Sequence, residues 1–169
     1  MMNIKTFVGS AVVVMAVLTA AGPAAADDHG FGRFQAPTVL EGTWQVRIAP
    51  YICATGVPLP PAAEFVSMVS FASGGTMTET TSNPRFLPGQ RSIGLGTWER
   101  NGRSSYEVAF QAFVQFTGGN YTQGTQRVEQ GIDMVDADHW NSTAVVEFTD
   151  LAGAPVSSGC MRAVGVRMP

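Results

Sequence analysis

The side chains able to do chemistry are few and scattered along this sequence. Glu79 and Arg127 lie on otherwise polar segments and are expected at the surface; turned inward they would bind a polar head group. With Tyr106 they make the short set of residues that proton-transfer chemistry in an enclosed site could use. His139 stands beside Trp140 with no second imidazole near it in sequence, so it offers neither a dyad nor a metal site and reads as a solvated turn residue. The lone lysine, Lys5, falls in the amino-terminal leader, which leaves Schiff-base and amine-nucleophile mechanisms without a residue. No residue set names a reaction, and none calls for a cofactor.

The leader runs from Met1 to Ala26. Lys5 gives a basic start, Phe7 to Ala21 an apolar run, and Ala24-Ala25-Ala26 a small-residue cleavage site, the layout of an export signal. The run is too short and too rich in small residues for a comfortable membrane span, so the expected product is periplasmic or secreted, with no integral membrane segment. Cleavage would expose Asp27-Asp28-His29, which resembles the amino-terminal copper- and nickel-binding motif. There the α-amine, two backbone amides and the imidazole form the square-planar nitrogen set that Cu(II) and Ni(II) prefer. An oxidising destination makes a disulfide the default state of Cys53 and Cys160, neither of which has a histidine or another cysteine nearby. The bridge would close a loop of about a hundred residues, worth roughly 4 to 5 kcal/mol in the chain-entropy account.

Beyond the leader, nine arginines face thirteen acids with no basic run or stripe, which argues against nucleic acid as a partner. Residues 27–39 read as a flexible tail and 40–169 as one domain. Within it, turn residues recur every 8 to 15 positions and no segment keeps a helical period, the spacing of an all-β chain. The first strand covers 43–53: Trp44, Val46 and Ile48 alternate with Gln45 and Arg47, and Pro50 calls for a bulge or an edge. Further strands are expected over 64–72, 76–81, 94–100, 104–116, 121–134, 139–150 and 157–167. Gly74-Gly75 makes a tight turn, and Asn101-Gly102 is expected as a type I′ hairpin. The irregular stretch 82–93 would rim one end.

Eight strands joined by short links make an up-and-down antiparallel meander whose last edge needs covering, and closure onto the first strand is the usual solution. Antiparallel pairing of the last strand with the first brings Cys160 beside Cys53. That register sets Val46 opposite Arg167, so Arg167 shares the inward face of Trp44 and Val46; a one-residue slip at Pro50 would make Arg162 the inward arginine instead.

Gly42-Thr43-Trp44 at the head of the first strand resembles the entry motif of lipocalins and the wider calycin group. The blocks 75–80, 88–92, 94–100 and 106–113 look like those of small exported bacterial lipocalin-like proteins. The resemblance implies the same eight-stranded barrel, with an arginine of the last strand over the entry tryptophan, and brings no catalytic residues.

A barrel of eight strands either fills with its own side chains or holds one ligand. The first expectation is an exported protein that binds a small apolar molecule among Met68, Phe71, Trp98, Tyr106, Val108, Phe110 and Phe148, with few polar contacts. The others are an isomerase or cyclase of the allene oxide cyclase kind, using Glu79, Tyr106 and Arg127, and a filled barrel serving as an interaction or structural module.

Overall fold

The computed structural model describes residues 40–60, 63–116 and 123–169. The leader 1–26, the tail 27–39 and the expected metal set Asp27, Asp28 and His29 lie outside the described residues. The described chain forms β1 (Gly42–Tyr51), β2 (Phe65–Ala72), β3 (Thr76–Thr81), β4 (Gly94–Arg100), β5 (Ser105–Gln115), β6 (Gln123–Met134), β7 (His139–Asp150) and β8 (Pro155–Arg167). They close in sequence order into an eight-stranded antiparallel barrel, β8 pairing back onto β1. Among the described residues no helix is long and apolar enough to cross a membrane.

The period of two decides what each strand buries. On β5, Tyr106, Val108, Phe110, Ala112 and Val114 turn into the barrel while Glu107, Gln111 and Phe113 face out. Thr-rich β3 follows the same rule, with Met77 and Glu79 buried between outward threonines. β2 sends Ser67, Val69 and Phe71 inward, so Met68, expected in the interior, points outward and is 49% exposed.

The end of the barrel where β1 begins is packed solid. Trp44 and Trp140 meet at 6.0 Å between ring centroids, and Trp98 touches both Phe71 and Tyr106 edge-on. The Trp44 indole Nε1 donates to the Leu40 carbonyl at 2.9 Å. Arg167 lies over the Trp44 ring at 4.2 Å and donates from Nη1 to the Glu41 carbonyl at 2.6 Å. Two glycines are required by this packing. A Cβ on Gly165 would fall inside the Trp140 indole, and one on Gly75 would come within 2.9 Å of the Trp98 carbonyl.

Cys53 and Cys160 are joined, with Cα atoms 5.2 Å apart. The register differs from direct opposition of the two cysteines. Tyr51 faces Cys160, which places Trp44 rather than Val46 opposite Arg167. The cause is a turn at the end of β1, where the Ile52 carbonyl accepts from the Gly56 N–H at 2.8 Å and carries Cys53 off the strand and across to β8. The shift is of two residues, so the inward face is preserved. Arg162, the alternative inward arginine, is exposed and sits over Tyr51 at 4.7 Å.

Pro50 needs no bulge, because it lies beyond Ile48↔Phe65, the last β1–β2 pair, and the β1–β8 ladder runs through it. The ladder irregularity falls in β7–β8 instead, between Phe148 and Thr149. Asn101-Gly102 is not a type I′ turn: neither residue has a positive φ, and both N–H groups donate to the Ser105 carbonyl. The four-residue link 101–104 is longer than that turn takes. The left-handed glycine pair is Gly74-Gly75, at φ +90° and +86°.

Candidate functional site

The opposite end, where β3 runs out and β4 begins, holds the polar interior. After Thr81 the chain crosses in the segment 82–93, whose last turn runs alongside β5. The Ser92 N–H donates to the Phe113 carbonyl, the Gln115 N–H to the Gln90 carbonyl, and Arg91 bridges Val114. The β4–β5 register, Leu95 against Gln111, would set Arg91 against outward Gln115 if it continued unchanged. One residue of slip between Leu95 and Arg91 puts Arg91 opposite inward Val114 and turns its guanidinium into the barrel.

There the Arg91 Nη2 pairs with Glu79 Oε2 at 2.8 Å, and Nε donates to the Gln126 side-chain oxygen at 2.6 Å. Glu79 Oε1 accepts from the Ser67 hydroxyl at 2.9 Å. Both charged side chains are only 6% exposed. A charge pair this deep persists because each partner is compensated and hydrogen-bonded; either alone would be strongly disfavoured. Gly94 makes the room. A Cβ there would come within 2.8 Å of the Phe110 ring and 3.1 Å of Glu79 Oε2.

This cluster forms one wall of an inner chamber of about 50 Å³. Ser67, Glu79, Thr81, Asn83, Arg91, Gln126 and Gln130 supply its polar side, and β1, β7 and β8 an apolar side that includes Ile48, Val146 and Met161. Phe86 of the crossing segment covers it, stacked on Phe116 at 5.8 Å and against Phe148 at 6.5 Å. Outside lies a vestibule of about 810 Å³ between the turn after β1, the start of the crossing segment and the β7–β8 hairpin. Chamber and vestibule share the lining residues Phe65, Asn83, Val146 and Met161, which stand between the two spaces. The chamber alone is well below the roughly 300 Å³ at which small-molecule pockets begin.

Of the residues expected to line a pocket, Phe71 and Phe110 face the chamber and Phe148 the vestibule. Trp98, Tyr106 and Val108 are buried but line neither space; they belong to the interior packing. The Tyr106 hydroxyl, Trp140 Nε1 and Glu79 Oε2 have no hydrogen-bond partner among the described residues, Oε2 being held by the ion pair with Arg91. Glu79, expected at the surface, is the buried acid. Arg127 is outside the barrel, half-exposed and paired with Glu129 at 2.6 Å. Among the described residues the chamber's cation is Arg91, which strand periodicity could not find because a register slip turns it.

His139 is solvated, as expected, and its Nδ1 lies 2.9 Å from Asp136. The Asp136 carboxyl is held below its ordinary range, chiefly by the Asp138 backbone N–H and then by the His139 side chain. A lowered folded-state pKa adds stability that is present at neutral pH and lost as pH falls through it. Among the described residues no cluster of histidine, cysteine, aspartate and glutamate could hold a metal.

No protein-family model matches this chain, and no curated protein matches it in sequence. The functional reading therefore rests on the geometry of the chamber and vestibule.

Proposed function

We propose that this is an exported barrel protein of the lipocalin-like kind that binds one small, mostly apolar molecule through the vestibule, with one end of the molecule in the chamber. The observation that carries the reading is that Phe65, Asn83, Val146 and Met161 line both spaces; in this proposal they are the neck through which an elongated ligand passes from one to the other. An apolar body gains about 25 cal/mol for each Å² removed from water, and the vestibule wall offers Leu59, Phe65, Phe148 and Met161 for that contact. The disulfide fits an oxidising destination, and it ties the turn after β1 to β8 at the vestibule's edge. Family membership is part of the same proposal; closure of eight strands and the Arg167–Trp44 stack support it.

The isomerase reading depends on Glu79, the acid that faces the chamber. Its two oxygens are already engaged by Ser67 and Arg91, an arrangement that suits holding charge in place better than moving protons. Binding is the stronger reading. Titration with an apolar fluorescent probe tests it: Phe110→Ala should change the probe's affinity more than Gln111→Ala, whose side chain faces water. Equal effects, or no probe binding, would favour a filled barrel.

A further inference from the structure

We infer that the ligand of this site carries a neutral hydrogen-bonding head, such as a hydroxyl or carboxamide, and that the chamber discriminates against carboxylates. The inference rests on the binding reading above and adds the chemical class of the molecule.

Charge balance is the first ground. Among the described residues Glu79 and Arg91 are the two charged ones lining the chamber, and they neutralise each other at 2.8 Å. Arg91 is committed on three sides, to Glu79, to Gln126 and, at 3.2 Å from Nη1, to the Ser92 carbonyl. A carboxylate entering the chamber would either bury a charge without a counter-ion or take Arg91 from Glu79 and strand that acid instead. Both carry the penalty of a buried, unpaired charge.

The remaining hydrogen-bonding capacity is the second ground. Gln126, 6% exposed, accepts from Arg91 through Oε1, which leaves its amide hydrogens as donors. Gln130 donates through Nε2 to the Ser142 hydroxyl at 2.7 Å, which leaves its Oε1 as an acceptor. The two stand four residues apart on β6, both lining the chamber. Donors on Gln126 and an acceptor on Gln130 match a group that both accepts and donates, as a hydroxyl or carboxamide does and a carboxylate does not. Size agrees, since about 50 Å³ takes such a head and little more.

Among the described residues Arg85 is the one cation lining the vestibule, and it is exposed. A charge left there in water gains little from a screened partner. A ligand inserted tail-first would therefore show little preference between acid and alcohol.

The experiment is calorimetric titration of decan-1-ol, decanamide and decanoate into the full barrel at neutral pH, repeated on Glu79→Gln. The alcohol and the amide should bind the wild type at least about tenfold more tightly than decanoate. In Glu79→Gln the freed Arg91 charge should raise decanoate affinity by about tenfold or more, and the preference for the alcohol over decanoate should shrink accordingly. Decanoate binding the wild type as tightly as the alcohol overturns the inference and leaves the binding reading standing. If none of the three binds, the binding reading falls, and this inference with it. Should Glu79→Gln fail to fold, the wild-type ratio decides the matter by itself.

Discussion

Arg91 enters the barrel from the segment that crosses its mouth and meets Glu79 of β3 at 2.8 Å, both side chains almost fully buried. The pair joins the crossing segment to the wall it covers, and its two charges offset each other.

Breaking this pair from one side should cost far more than removing it whole. Glu79→Ala or Arg91→Ala leaves a buried charge alone and should destabilise by about 3 to 5 kcal/mol, whereas Glu79→Leu with Arg91→Met should be close to neutral. Urea unfolding of the three variants checks this. Additive losses would mean the pair is solvated in solution.

How much of this was legible in the sequence depends on the residue. The strands and their closure were, because alternation, turn residues and two cysteines at the right places agree. The facing of Glu79 was also available: Met77 is two residues away on the same strand, and a period of two puts both on one side. A Thr-rich composition hid it by making the strand read as solvated. Met68 and Phe71, three apart on β2, cannot both face inward in a regular strand, and Phe71 is the one that does. Arg91 was not legible. Its direction depends on a single residue of slip between Leu95↔Gln111 and Arg91↔Val114, and nothing local in 82–93 announces where that slip falls.

Trp44→Ala removes a fully buried indole that holds both Trp140 and Arg167. It should destabilise by about 3 to 5 kcal/mol, while Gln45→Ala on the outer face stays within about 0.5 kcal/mol. Thermal melts of the two would expose an error in the facing of β1 if they shifted alike.

Gly165→Ala should be costly despite adding one methyl group, because that methyl would have to occupy the Trp140 indole. Overpacking of this kind costs typically 1 to 3 kcal/mol, about the same as a moderate cavity. Near-ultraviolet circular dichroism should register the displaced tryptophan. An unchanged spectrum and melting point would show that the packed end is looser than described.

Replacing both cysteines with serine opens a loop closed across 107 residues and should lower stability by about 2 to 5 kcal/mol. Ligand affinity should fall as well, since the turn after β1 borders the vestibule. Stability loss without any change in affinity would separate the bridge from the site.

The most direct test of the central claim is methionine-methyl NMR during a titration with decan-1-ol. Met161 lines both the vestibule and the chamber, and Met68 faces water on β2. Binding through the neck should move the Met161 methyl resonance saturably and leave Met68 in place. Movement of Met68 with Met161 unchanged would put the ligand on the outside of the barrel and contradict the account.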